Sequence, residues 1–221
     1  MITVLNLFYI LISYILGSIP FGYIFTKLST KQNILEIGWK KTSGSNVFKN
    51  VGFWQGVLTG LFDIIKGYLA VRIAQSYGQP EFIQALCGTA AVIGHNWSLF
   101  LSFNGGRGIG TFGGALYAFS PEIFKIGLLV MFSWGIVWNL SIGTILMLLA
   151  VIYYGNKFNL PQVEIFALYC LLPIFLKRLS PIKELKDKEK RKEVMLNRLV
   201  FDDDVTKGWR IKKILARLTS K

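Results

Sequence analysis

The segment Asn104-Gly105-Gly106-Arg107-Gly108-Ile109-Gly110-Thr111 holds the residue types that grip an anion. Glycines let successive backbone N–H groups turn toward one point. A guanidinium such as that of Arg107 can bind two phosphate oxygens at once. A helical apolar pattern opens directly after the loop, so the positive end of its dipole faces the same ligand. The Gly-Lys-Ser/Thr ending of a nucleotide-binding P-loop is absent. A second basic, Gly/Ser-rich stretch runs over 38–49 and carries Lys40, Lys41, Asn46 and Lys49. Two such loops on one face would suit two phosphate groups. Without a ligand they would be ordinary basic turns.

Other polar residues stand inside apolar runs. Asp63 and Lys66 are three apart, hence on one helix face where they can pair. A lone charge at mid-bilayer costs about 2.5–3.5 kcal/mol on insertion scales. The pair reads as a structural ion pair or as a substrate contact. His95 is the only histidine. No second His or Cys lies near enough to complete a metal site, and no Gly-x-Ser-x-Gly turn supports a serine triad. Gly17, Ser18, Pro20 and Gly22 interrupt the first apolar run, either for close helix packing or to leave room for an acyl chain.

The elements that must position these residues are set by hydropathy. The chain has 221 residues, 52% hydrophobic and 17% charged, against about 25% charged in soluble domains. Apolar runs cover 2–28, 51–76, 82–103, 109–120, 123–140, 142–154 and 160–176. A spanning helix needs about 20 mostly apolar residues. These runs predict an all-α, polytopic membrane protein of about seven transmembrane helices. No charge precedes the first run, whereas Lys27 and Lys31 follow it; that order predicts a retained helix rather than a cleaved signal. With the N-terminus outside, Lys27, Lys31, Lys40, Lys41, Lys49, Arg107 and the C-terminal tail all fall inside, as the positive-inside rule demands. Trp134 and Trp138 read as interfacial anchors or as packing residues.

Lys and Arg number 25 against 12 Asp and Glu, a net charge of +13. Much of the excess follows Leu176, which divides the chain into a membrane domain, 1–179, and a basic, partly helical cytoplasmic tail, 180–221. After a membrane domain such a tail points to anionic lipid headgroups or to topology alone, not to nucleic acid. Cys87 and Cys170 sit in apolar runs and read as small hydrophobes.

Taken in order, Gly17-Ser18-Ile19-Pro20-Phe21-Gly22, Asn46-Val47-Phe48-Lys49, Asp63-x-x-Lys66-Gly67, Gly94-His95-x-x-x-x-Phe100 and Gly105-Gly106-Arg107-Gly108 resemble the bacterial acyl-phosphate:glycerol-3-phosphate acyltransferases of the PlsY type. Asn139-Leu140-Ser141-Ile142 resembles the family's later Ser-containing turn. The chain departs from the pattern in places. An ungapped match puts Trp39 on the family's functional Ser, Lys41 on an Asn and Lys49 on an Arg, while Arg107 replaces a Lys. Of the C-terminal motif only Leu196-Asn197-Arg198-Leu199 remains, without its His and with Asp202-Asp203-Asp204 where a Glu is approached.

The resemblance implies a seven-span enzyme of the bacterial inner membrane without metal or cofactor; a monomer is expected. Its partners would be glycerol 3-phosphate, acyl phosphate and a bilayer with anionic headgroups. His95, Asn46, Ser141 and Asn197 are the implied catalytic or orienting groups, with no dedicated protein base favoured. Lys41, Lys49, Gly105, Gly106, Arg107 and Gly108 would bind substrate phosphate. Ser18, Asp63 and Lys66 would be structural or would position substrate. The competing expectation is a catalytically impaired relative that binds a lipid phosphate or scaffolds other membrane enzymes.

Overall fold

A computed structural model describes residues 3–180, 191–203 and 208–209. Among them every regular element is helical: α1 (Val4–Ser18), α2 (Phe21–Thr30), α3 (Gly44–Asn50), α4 (Phe53–Ser76), α5 (Glu81–Asn96), α6 (Ile109–Phe119), α7 (Pro121–Val137), α8 (Leu140–Lys157), α9 (Pro161–Arg178) and α10 (Arg191–Phe201). Each apolar run of the sequence therefore becomes a helix, with three refinements.

The first run breaks into α1 and α2 at Ile19-Pro20. Proline has no N–H and pushes the preceding residue out of the helical region; Ile19 sits at φ −58°, ψ 117°. The break frees the Ile19 carbonyl, and Lys66 Nζ on α4 donates to it at 2.9 Å. The run at 82–103 ends as an α-helix at Asn96, and a single 3₁₀ turn, Leu99–Leu101, follows. The basic loop after α2 contains a short helix of its own, α3, which packs against α4.

Close helix approach is built on glycine. A Cβ on Gly67 of α4 would fall 2.0 Å from the Thr111 carbonyl oxygen of α6, and one on Gly114 of α6 would fall 1.8 Å from that of Ile64 on α4. Small residues at such crossings bring backbones together, the packing mode of helices in lipid. The buried core gathers side chains from α4, α5, α6, α7, α8 and α9, with Phe112 stacked on Phe166 at 4.9 Å between ring centroids. Outward faces stay apolar: Phe8 and Leu11 on α1, Leu61 on α4, Leu129 and Ile136 on α7, Leu149 on α8 and Leu172 on α9 are all exposed. Apolar surface spread over so many helices fits lipid and not water.

The tail does not stand apart. Helix α10 packs on α8 and α9, and its last carbonyls, which have no helical partner, are taken by side chains. Arg178 Nη1 donates to the Leu199 carbonyl at 2.8 Å, and Ser141 Oγ to the Phe201 carbonyl at 2.6 Å. Trp209 stacks on Trp138 at 4.4 Å with the rings 9° apart, and lies 6.5 Å from Trp134. Trp134 and Trp138, read from sequence as interfacial anchors or as packing residues, thus pack against the tail. Residues 181–190, 204–207 and 210–221 of the expected tail lie outside the described residues.

Candidate functional site

Two loops and the tail converge at one end of the bundle around a cavity of about 250 Å³. It is lined by Trp39, Lys41, Arg107, Arg178, Arg198 and Asp202, among others.

The first loop is shaped by Asn46. Its side chain is fully buried and spent on backbone: Oδ1 accepts from the Trp39 N–H at 3.0 Å, and Nδ2 donates to the carbonyls of Ile37 (3.1 Å) and Lys41 (2.9 Å). These bonds fold 37–41 over the start of α3 and turn Trp39 and Lys41 toward the cavity. Lys49 does not line the cavity. Its ammonium lies 5.3 Å from the centre of the Trp39 ring, and the Arg107 guanidinium lies 5.0 Å from the same centre.

The second loop is seated on α5. The Gly106 N–H donates to the His95 carbonyl at 3.0 Å. Gly108 has φ +78°, a left-handed conformation that suits glycine, and α6 begins at the next residue. His95 is buried beneath this loop: a Cβ on Gly106 would fall 2.1 Å from His95 Nε2. On its other side His95 Nδ1 lies 3.3 Å from Asp63 Oδ1, and the same oxygen pairs with Lys66 Nζ at 2.9 Å. The pair anticipated from the three-residue spacing is therefore present. It forms a buried network running from the α1–α2 break, through α4, to the glycine loop.

Ser18 is fully buried in the α1–α5 contact. Its hydroxyl donates to the Tyr14 carbonyl at 2.8 Å, and its own carbonyl accepts from Ser98 Oγ at 2.5 Å. Asn139 caps α8 by accepting from the N–H groups of Ser141 and Ile142. Ser141 sits in the first turn of α8, tied to α10 as described. Asn197 is buried on α10.

Electrostatics concentrate in the cavity. Lys41 is pushed down to about 8, chiefly because burial disfavours its charged form. Asp202 opposes the shift, and Arg107, Arg198 and Arg178 reinforce it. Asp202 follows the last residue of α10 at φ +54°. Its Oδ2 pairs with Arg107 Nε at 2.5 Å, and its Oδ1 lies 3.8 Å from Lys41 Nζ. Arg198 Nη1 donates to the Leu179 carbonyl at 3.1 Å.

Of the phosphate-binding residues expected from sequence, Lys41 and Arg107 line the cavity; Lys49, Gly105, Gly106 and Gly108 do not, and the Gly106 N–H is taken by the His95 carbonyl. The expected orienting groups Asn46, Ser141, His95 and Asn197 do not line it; the first three brace the walls. Sequence reasoning missed Arg178 and put no role on Asp202. The available signal was the remnant C-terminal motif, which contains Arg198 and leads to Asp202.

A helical bundle with apolar outer faces and a polar, cation-lined cavity at one end defines the class: an integral membrane protein of the helical-bundle type. The sequence profile described as glycerol-3-phosphate acyltransferase matches residues 7–188. A relative of that name from Syntrophomonas wolfei is 33% identical over 165 residues, covering 75% of this chain and 74% of the relative. One from Dehalococcoides mccartyi, glycerol-3-phosphate acyltransferase 1, is 32% identical over 199 residues, covering 85% and 95%. The crystal structure of PlsY (YgiH), an integral membrane glycerol 3-phosphate acyltransferase, in its glycerol 3-phosphate form superposes with a TM-score of 0.73 at 27% identity, over 81% of this chain and 91% of that one. The lysophosphatidic acid form gives 0.71. The chain belongs to the glycerol-3-phosphate acyltransferase family.

Proposed function

We propose that this protein transfers a fatty acyl group from acyl phosphate to the 1-hydroxyl of glycerol 3-phosphate, at the cytoplasmic face of the bacterial inner membrane. The observation that carries this reading is the convergence of Lys41, Arg107, Arg178 and Arg198, from separate parts of the chain, on one cavity of about 250 Å³. Family membership supplies the acceptor.

The chemistry asks little of a protein base. The hydroxyl oxygen attacks the acyl carbon, the bond from that carbon to the phosphate oxygen breaks, and the hydroxyl proton ends on the departing phosphate. The products are lysophosphatidic acid and phosphate. Holding the two substrates together supplies about 7–11 kcal/mol of barrier reduction. Cations and N–H groups already aimed at the developing charge supply about 3–4 kcal/mol more. Lys41 and Arg107 hold phosphate, and the Gly105–Gly108 turn carries Arg107 to the cavity. Asn46 keeps the first loop shaped, and the Asp63–Lys66–His95 network keeps the second loop seated.

The site also supports the topology. The loop before α3 and the loop before α6 are separated by α4 and α5, an even number of crossings. The second loop and the tail are separated by α6 to α9, again even. One crossing by the broken α1–α2 element then puts the N-terminus outside, for seven spans with a cytoplasmic C-terminus.

The test is turnover. Purified protein in detergent, given acyl phosphate and radiolabelled glycerol 3-phosphate, forms lysophosphatidic acid, and does not when acyl thioester replaces acyl phosphate. Arg107→Ala lowers kcat/KM by about ten to a few hundred fold, from loss of a charge-assisted bond worth about 1.5–3 kcal/mol. Binding of glycerol 3-phosphate without any turnover would favour the alternative, a lipid-phosphate-binding relative; its support is that Asn46 and Ser141 are both spent on backbone.

A further inference from the structure

A basic cavity proposed to hold substrate phosphate already contains an anion. The Asp202 carboxylate faces Arg107 through one oxygen and Lys41 through the other. Its side chain is only 6% exposed. Oδ1 is buried and has no hydrogen bond among the described residues; the 3.8 Å approach of Lys41 Nζ is a charge contact only. The carboxylate thus stands where a phosphate oxygen would, on two of the cations that a phosphate would use, and is incompletely satisfied there.

Without ligand these cations repel one another. The lowered Lys41 has Arg107, Arg198 and Arg178 among its causes. An internal carboxylate relieves that repulsion in the resting protein. A phosphate monoester carries up to two charges and three free oxygens, so it satisfies more donors than one carboxylate can. Asp202 lies just past the C-terminal end of α10, whose last carbonyls are held independently by Arg178 and Ser141. Its side chain can leave the cavity while α10 stays docked.

We infer that Asp202 is an internal competitor for the phosphate site: a carboxylate that a phosphate monoester or inorganic phosphate must displace, and that returns as phosphate leaves. The inference rests on the cavity being the phosphate site. Its consequence is a weakened ground-state grip on phosphate. A site blocked nine-tenths of the time has an apparent Kd raised about tenfold. A simple structural counter-ion for Arg107 would act the other way, because its removal would loosen the guanidinium and weaken binding.

The experiment is calorimetric titration of the full chain in detergent with glycerol 3-phosphate and, separately, with inorganic phosphate. Asp202→Asn keeps the shape and removes the charge. It is expected to bind both ligands about tenfold tighter than wild type. Glu193→Gln, which removes one exposed negative charge from α10 away from the cavity, controls for net charge and is expected to match wild type. Asp202→Ser is titrated in parallel as the readout should the Asn variant misfold. A gain for inorganic phosphate alone also supports the inference and places Asp202 in the leaving-phosphate position. Unchanged or weaker binding by Asp202→Asn, with Arg107→Ala binding neither ligand, overturns the inference and leaves the phosphate site standing. Wild-type binding by Arg107→Ala overturns both.

Discussion

His95 and Gly106 are in backbone and side-chain contact at once: the His95 carbonyl accepts from the Gly106 N–H at 3.0 Å, while the imidazole fills the space a Cβ at 106 would need. The ring is held from below by Asp63, itself paired with Lys66. The glycine loop therefore rests on a rigid floor of charged and aromatic atoms. Gly106→Ala must lift the loop or tilt the imidazole, and overpacking of this kind costs about 1–3 kcal/mol. The variant is expected to lose at least tenfold in kcat/KM for glycerol 3-phosphate. Wild-type kinetics in Gly106→Ala would show that the loop need not sit on His95.

Binding of phosphate should depend on pH through Lys41. Its folded value, about 8, lies below the ordinary 10.5. An anion needs the ammonium form, so affinity for glycerol 3-phosphate is expected to be flat below about pH 8 and to fall above it, by up to about tenfold per unit. Fold stability moves in the opposite sense. Between about 8 and 10.5 the unfolded chain holds a proton on Lys41 that the folded chain has released, so this residue's contribution to stability rises with pH across that window. Titrating affinity from pH 6.5 to 9.5 in wild type and Lys41→Met checks the first effect; the fall above 8 should disappear in the variant.

Trp39 presents its ring to both Lys49 and Arg107 and is itself 36% exposed. Cation–π contacts at exposed sites contribute about 0.5–1 kcal/mol each. Trp39→Ser is therefore expected to keep activity within about tenfold of wild type, because it leaves Lys41, Arg107, Arg178 and Arg198 on the cavity wall. A complete loss of turnover would mean that the indole contacts substrate directly.

The tail is part of the site. Truncation after Arg191 removes Arg198 and Asp202 from the cavity and leaves Arg178 and Ser141 without their partners on α10. Activity is expected to vanish and the melting temperature to fall. Truncation after Val205 keeps α10 but removes Trp209 from its stack on Trp138. It is expected to retain turnover with a lowered melting temperature. Full activity in the shorter protein would refute a role for the tail in the cavity.

Much of the fold was legible along the chain because a bilayer-length apolar run is a local property, and the seven runs each became helical. The break at Pro20 was legible for the same reason, since a missing N–H acts where it stands. Lys41 and Arg107 were legible too, because glycine and positive charge crowd together in their loops. Arg198 was legible only as part of a remnant motif, and Arg178 and Asp202 were not legible at all. In sequence those two are more charges in a stretch rich in both signs, and nothing local distinguishes a cavity wall from a solvated tail. The packing of α10 across α8 and α9 makes that distinction. Residue type also named His95, Asn46 and Ser141 as able to do chemistry, since each carries a donor or acceptor. Which partner such a group takes depends on what lies within about 3 Å, and that is set by chain segments far away in sequence. Sequence alone determined the helices, the basic face and the family; tertiary structure decided which polar groups face the cavity and which are consumed in building it.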